Sequence, residues 1–309
     1  MMCRIARSLA KQSSFISRPL RQEVDVPARG REPGTLGSSR DQGLLRRCHR
    51  LDSAPIVAAI DAADDLSLTC GVSRSAAGRT LAEATASRSD GFIYASVSEA
   101  LQSAEVDVLL DYTSAAAVKQ NVLTAVRAGA HVVVGSSGLT AEDYAELNRL
   151  ARDRGVGVVA AGNFSIMAAI LKRAAALAAQ HLHHWEILDY ASADKPDVPS
   201  GTARELAETL AQLRTPQSVV PLSRLDGPVE ARGAEVAGTR IHSVRLPSFV
   251  VTTEIIFGGA GERLVMRHDP GGTPDPYVAG TLLAIRKAAD VPGVRRGLDS
   301  LLIDSAAGP

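Results

Sequence analysis

The stretch Asp194-Lys195-Pro196-Asp197-Val198-Pro199-Ser200-Gly201-Thr202-Ala203 joins a run that reads as a strand, residues 185–190, to one that reads as a helix, residues 203–210. Pro196 and Pro199 restrict the backbone and keep either element from continuing into the loop. Ser200-Gly201-Thr202 opens the helix with small residues, whose free backbone N–H groups and hydroxyls can hold an anion. Lys195 adds a positive charge just upstream, which makes the segment a receptor for a small carboxylate. An ordinary capped helix after a proline-rich turn has the same local pattern.

Upstream of this loop the chain alternates strands and helices. Residues 66–72 read as a strand that ends in Ser73-Arg74-Ser75. In a dinucleotide fold an acid at that place would hold the ribose hydroxyl, whereas an arginine suits a 2′-phosphate, so Arg74 points to NADP. Residues 106–113 read as a buried strand, 115–128 as a helix stopped by Gly129, and 131–134 as a strand ending in Gly135-Ser136-Ser137-Gly138. Thr140 can cap a helix through Leu150, and residues 156–161 form another strand, ending in Gly162-Asn163-Phe164-Ser165. Successive strand ends rich in Thr, Ser, Gly and Asn let a planar ligand approach the backbone and together mark a crevice.

Downstream, residues 166–182 read as an alanine-rich helix that leads into the loop. Alternation in residues 239–246 and 251–257 suggests antiparallel strands, with a further run at 263–268 and Gly258-Gly259-Ala260-Gly261 as a hairpin turn. Residues 277–289 form a closing helix. The order is parallel α/β, then a mixed α+β insert, then a helix returning to the first unit.

Composition agrees with a soluble globular protein. Hydrophobic residues make up 45% and charged residues 22% of the 309, and the formal net charge is zero, so nothing in the bulk charge points to nucleic acid or an anionic membrane. Cys3, Cys48 and Cys70 are widely spaced and form no metal-ligand pattern. They read as thiols of a reducing compartment, and no apolar run is long enough to span a bilayer.

The first fifty residues differ, with ten arginines and one lysine against four acids and no sustained periodicity. They read as a targeting peptide, as a disordered tail, or as a frame-shifted start. Residues 55–60 and 66–72 look like the helix and second strand of a βαβ unit, whose first strand and glycine-rich turn are not visible. Arg46 to Ser53 can be back-translated as CGC CGG TGC CAC CGG CTG GAC AGC. Read one base later, running into the codon of Ala54, this gives Ala-Gly-Ala-Thr-Gly-Trp-Thr-Ala, a Gly-x-x-Gly turn in the expected place. The compositional break at that point favours a cytoplasmic protein.

Residues 195–203 resemble the substrate loop of the dihydrodipicolinate reductase family, which ends in a lysine, an acid, a proline and Ser-Gly-Thr. Residues 134–139 resemble its Gly-Thr-Thr-Gly-Phe segment, Asn163-Phe164-Ser165 its Asn-Phe-Ser, and Asp111-Tyr112-Thr113 its Asp-Phe-Thr; residues 244–247 and 254–257 match its interface strands. The resemblance spans residues 55–290 in order. It implies a Rossmann-type parallel-sheet domain (residues 51–163 and 269–309) and an α+β substrate and oligomerisation domain (164–268). It implies a homotetramer that reduces a small dicarboxylate imine with NADPH or NADH in lysine biosynthesis, with no metal. Gly135, Ser136, Ser137, Asn163, Phe164 and Ser165 would line the nicotinamide, with Asp111, Tyr112 and Thr113 beside it. Lys195, Ser200, Gly201 and Thr202 would hold the substrate carboxylates.

The chain departs from the family at one functional point. Where the family carries a His-His pair, one of them a proposed proton donor, this chain reads Ala191-Ser192-Ala193-Asp194. His181, His183 and His184 lie at the other end of the strand. Lys195 can donate the proton as an ammonium tuned by Asp194, or a bound water can. A reductase for a related imine or amino-acid substrate and an inactive paralogue are the alternatives.

Overall fold

The computed structural model describes residues 54–85 and 87–302. The readings of residues 1–50 therefore fall outside the described part. In chain order the helices are α1 (Ala54–Asp61), α2 (Leu81–Thr85), α3 (Val97–Ser103), α4 (Val118–Arg127), α5 (Ala141–Asp153), α6 (Ile166–His181), α7 (Gly201–Ala211) and α8 (Val278–Lys287). The strands are β1 (Cys70–Val72), β2 (Phe92–Tyr94), β3 (Val108–Asp111), β4 (His131–Val134), β5 (Gly157–Ala160), β6 (His184–Ala191), β7 (Ala234–Val236), β8 (Thr239–Arg245), β9 (Val251–Gly258), β10 (Arg263–His268) and β11 (Gly293–Arg296).

β3, β4 and β5 are short runs of Val, Leu and Ala with hardly an exposed position, the composition of parallel strands covered on both faces. They form a parallel sheet in the order β11-β5-β4-β3, with Leu109 opposite Val132, Val133 opposite Val159, and Val158 opposite Val294. β1 and β2 pair in parallel as a separate two-stranded piece, Cys70 opposite Phe92. One apolar cluster covers one face with Ile56, Ile60, Leu68, Leu110, Val133, Val159 and Ile285; the other face is filled by Val118, Val122, Val126, Leu147 and their neighbours. Because all four main strands run the same way, the polar residues after β3, β4 and β5 collect along one edge.

The second sheet has the order β10-β9-β6-β8-β7. Its middle strand β6 alternates in burial, with Trp185, Ile187, Asp189 and Ala191 turned inwards against α6 and α7. Burying Trp185, Ile187, Ile241, Ile255 and Phe257 contributes about 1.5–3 kcal/mol per large apolar side chain. The expected hairpin is present, β9 antiparallel to β10 with Gly259 N–H donating to the Glu262 carbonyl.

The structure corrects two expectations. β8 is antiparallel to β7, as the alternation suggests, but on its other side it pairs with β6 in parallel, Ile187 opposite Ile241, because α7 and a long segment form a crossover between them. Only Cys70–Val72 of the run 66–72 enters a ladder; Leu66 and Leu68 are buried without pairing. Short elements without strong periodicity, β2, α3, β7 and β11, were not foreseen in the sequence. β11 matters most, since it returns the end of the chain to the edge of β5.

Candidate functional site

The β6–α7 loop is held by a buried carboxylate. Asp189 stands on the inward face of β6, fully buried, in the place that alternation reserves for an apolar residue. Its Oδ2 accepts the Ser200 N–H (2.8 Å), the Ser243 hydroxyl (3.0 Å) and the Arg245 guanidinium (2.8 Å). Arg245 also donates to the Asp197 carbonyl (2.7 Å), so Asp189 and Arg245 grip both ends of the loop. Ser200 is the N-cap of α7, its hydroxyl accepting from Ala203 N–H. Since the Ser200 amide is taken by Asp189, the amides at the mouth of the helix left to face a ligand are those of Gly201 and Thr202. Lys195 is mostly covered and its Nζ lies 2.7 Å from Asp197 Oδ1. Burial raises the Asp197 pKa, but the Lys195 ammonium bonded to it prevails and holds the carboxyl below its ordinary range. Asp194, which the sequence suggested as the tuning acid, is exposed and accepts from the Ser192 hydroxyl. Asp197 is the acid seen paired with the lysine.

The strand ends of the parallel sheet lie on the other side. Asp111 is fully buried and both its oxygens serve the protein. Oδ1 takes the Thr113 N–H (2.9 Å), the Thr113 hydroxyl (2.8 Å) and the Ser136 hydroxyl (2.6 Å), and Oδ2 takes Asn121 Nδ2 (3.0 Å). It therefore ties the tips of β3 and β4 together and leaves Ser137 and Gly138 exposed. A Cβ on Gly135 would fall 1.9 Å from the Tyr112 ring, so only glycine fits there. Tyr112 packs edge-on against Phe164 (5.7 Å between centroids) and bonds Thr281 through its hydroxyl (2.8 Å); burial pushes its phenol well above the usual range. Asn163 Oδ1 accepts the Ser165 N–H, and Ser165 caps α6. Arg74 is exposed just past β1.

The two sides meet. Asn163 Nδ2 lies 3.4 Å from Thr202 Oγ1, and a Cβ on Gly162 would touch Glu205 Oε2 at 2.7 Å and the Gly201 carbonyl at 3.4 Å. Beside this contact is a cavity of about 30 Å³ where Asn163, Thr202, Lys172, Glu205, His268 and Asp299 meet apolar side chains such as Leu206 and Leu298. His268 Nε2 is 3.1 Å from Ser165 Oγ; burial lowers the imidazole pKa, opposed by the smaller pull of Asp269. Of the histidines at the far end of β6, His183 contacts Arg214 and His184 the Gln217 carbonyl.

Asp189, Arg245, Lys172, Glu205 and His268 were not singled out from the sequence. For Asp189 a signal existed: an acid at the apolar phase of an alternating strand. Lys172 gave a similar one on the buried face of an alanine-rich helix. Glu205 and His268 gave none, because their partners are far away in the chain.

The family models for the dihydrodipicolinate reductase N-terminus and C-terminus match residues 54–164 and 164–302. The chain belongs to the dihydrodipicolinate reductase family. It is 34% identical over 252 residues to a 4-hydroxy-tetrahydrodipicolinate reductase of Geobacillus kaustophilus, covering 80% of this chain and 93% of that one. It is 39% identical over 202 residues to one of Moorella thermoacetica, covering 65% and 75%. Among solved structures it is similar to a dipicolinate-bound dihydrodipicolinate reductase from Paenisporosarcina sp. TG-14, at 26% identity, a TM-score of 0.66, and 80% and 93% coverage. An amine dehydrogenase from Mycobacterium smegmatis shares the fold, at 14% identity, a TM-score of 0.55, and 79% and 91% coverage. This reductase is an NAD(P)H-dependent oxidoreductase with a Rossmann-type domain and an α+β domain. The strand ends suit a nicotinamide: small residues face the edge, and the one buried acid there, Asp111, is consumed by its neighbours. Among the described residues no group of three or more His, Cys, Asp or Glu could hold a metal, and no helix is long and apolar enough to cross a membrane.

Proposed function

We propose that the chain reduces 4-hydroxy-tetrahydrodipicolinate to tetrahydrodipicolinate in the diaminopimelate route to lysine, using NADPH. The observation that carries this is the mouth of α7 held against the end of β5, with Asn163 bonded to Thr202. Lys195 and the amides of Gly201 and Thr202 receive the two carboxylates of the substrate, while Ser200 and Asp189 hold the helix mouth open. Ser136, Ser137, Gly135 and the Asn163–Ser165 segment line the nicotinamide, with Asp111, Tyr112, Phe164 and Thr113 fixing their backbone. When bound, the nicotinamide supplies the hydride. Lys195, an ammonium with Asp197 against it, supplies the proton that the family's histidine would otherwise bring, and Asp194 holds the preceding turn through Ser192. Arg74 takes the 2′-phosphate of NADPH.

The described residues within 51–163 and 269–309 form the dinucleotide-binding unit and those within 164–268 the substrate unit, a division supported by β11 pairing with β5. The enzyme is cytoplasmic and a homotetramer. Exposed Leu264 and Val265 on β10, with Leu246 and Val250 flanking the second sheet, support an interface there. Light scattering after size exclusion reads the assembly.

The decisive assay is NADPH oxidation with the enzymatically generated lysine-pathway substrate against a panel of other cyclic imines. Preference for another imine moves the enzyme to a related reductase, and no turnover makes it an inactive paralogue. Lys195→Ala is expected to lose about a hundredfold or more in kcat/KM; full turnover would remove the lysine from the mechanism. Arg74→Ala is expected to raise the KM for NADPH and leave that for NADH unchanged.

A further inference from the structure

Lys172 lies on the buried side of α6 with its ammonium between two acids, 2.5 Å from Glu205 Oε1 and 2.5 Å from Asp299 Oδ1. The contact with Glu205 is an aligned hydrogen bond. Asp299 Oδ1 touches the ammonium without hydrogen-bond alignment. Glu205 uses its second oxygen on a different partner: Oε2 accepts the Gly162 N–H at 2.7 Å. Gly162 immediately precedes Asn163 on the cofactor edge, and Glu205 lies one turn into the helix whose mouth faces the substrate. Gly297 closes the cluster from the end of β11. Its own N–H donates to the Ala160 carbonyl, and a Cβ there would fall 2.3 Å from Lys172 Nζ.

We infer that Lys172 and Glu205 are positioning residues that set the distance between the nicotinamide edge and the substrate helix. The inference rests on the function proposed above. A carboxylate accepting a backbone N–H makes a charge-assisted bond, stronger than a neutral one. The Lys172 ammonium, 2.5 Å from Oε1, holds the Glu205 side chain in its largely covered place. The same pairing keeps a bare negative charge away from the helix mouth that must accept a dicarboxylate. Without Lys172, Glu205 and Asp299 face each other as like charges and separate, which releases Gly162. Hydride transfer is steep in distance, and a displacement of about 1 Å costs about a hundredfold in rate.

The test uses the full chain with Lys172→Met, Lys172→Arg, Glu205→Gln and Asp299→Asn. Amide exchange at Gly162, read without ligands, is expected to quicken about tenfold or more in Lys172→Met and Glu205→Gln. In the same variants kcat is expected to fall about tenfold to a hundredfold, with the KM for either substrate and the Kd for dipicolinate within about threefold. Lys172→Arg restores most of the loss. Asp299→Asn lowers the melting temperature but leaves kcat within about threefold, because Asp299 does not reach Gly162. If Lys172→Met does not fold, Glu205→Gln against Asp299→Asn carries the comparison. Wild-type kcat and unchanged Gly162 exchange in Glu205→Gln overturn the inference, as does an equal kcat loss in Asp299→Asn. Absence of turnover in the wild type overturns the proposed function instead.

Discussion

Asp189 is the residue on which the loop from Lys195 to Thr202 hangs. Removing one partner from a buried ion pair leaves the other charge without compensation, so Asp189→Ala is expected to cost about 3–5 kcal/mol in urea unfolding. Replacing Asp189 and Arg245 together by leucine is expected to cost less stability than that and still abolish substrate binding, because Ser200 and Asp197 lose their holds. His268 gives a pH dependence. Burial places its folded pKa below the ordinary value of 6.5, so between the two values the unfolded chain binds more protons. Stability is then complete above about pH 6.5 and falls as the pH drops towards the folded pKa. The groups around the imidazole are Ser165 on Nε2, Asp269 beside it in the chain, and Lys172, Glu205 and Asp299 across the cavity. Urea midpoints at several pH values should show a shallower acid-side fall in His268→Gln than in the wild type.

At the scale of elements, α7 and the β3–β4 tips are set by different physics. α7 starts where Ser200 caps it, and Ser200→Ala is expected to cost about 0.5–2 kcal/mol in thermal unfolding. The tips of β3 and β4 are held by Asp111 and by the close approach of Gly135 to Tyr112. Gly135→Ala forces the Tyr112 ring aside and is expected to destabilise by about 1–3 kcal/mol; adding Tyr112→Leu should recover part of that, as thermal unfolding can show. The polar strand ends and the capped helix were legible as patterns because each is a local arrangement of a few residues. Which side chain holds which was not, since Asp111 reaches Asn121 and Ser136 only after the strands pair.

Across the whole molecule the described parallel sheet comes in two pieces, β2-β1 and β3-β4-β5-β11. Both pieces share their cores: Leu68 and Ile93 pack with Val108 and Val133 on one face, and Val72 lies by the cluster of Leu109 and Val132 on the other.

Sequence by itself determined the alternation of buried strands and helices, the polar strand ends, and the loop from Lys195 to Thr202. Each follows from backbone preference and side-chain period over a handful of neighbouring residues. Only the tertiary structure decided that β8 runs parallel to β6, that β11 returns to β5, and that Asp189 and Arg245 hold the loop. It also decided that Asp197 pairs with Lys195 and that Lys172 joins Glu205 to Asp299. Such contacts form between residues brought together by burial of apolar faces, and a buried charge has no partner until the chain has closed around it.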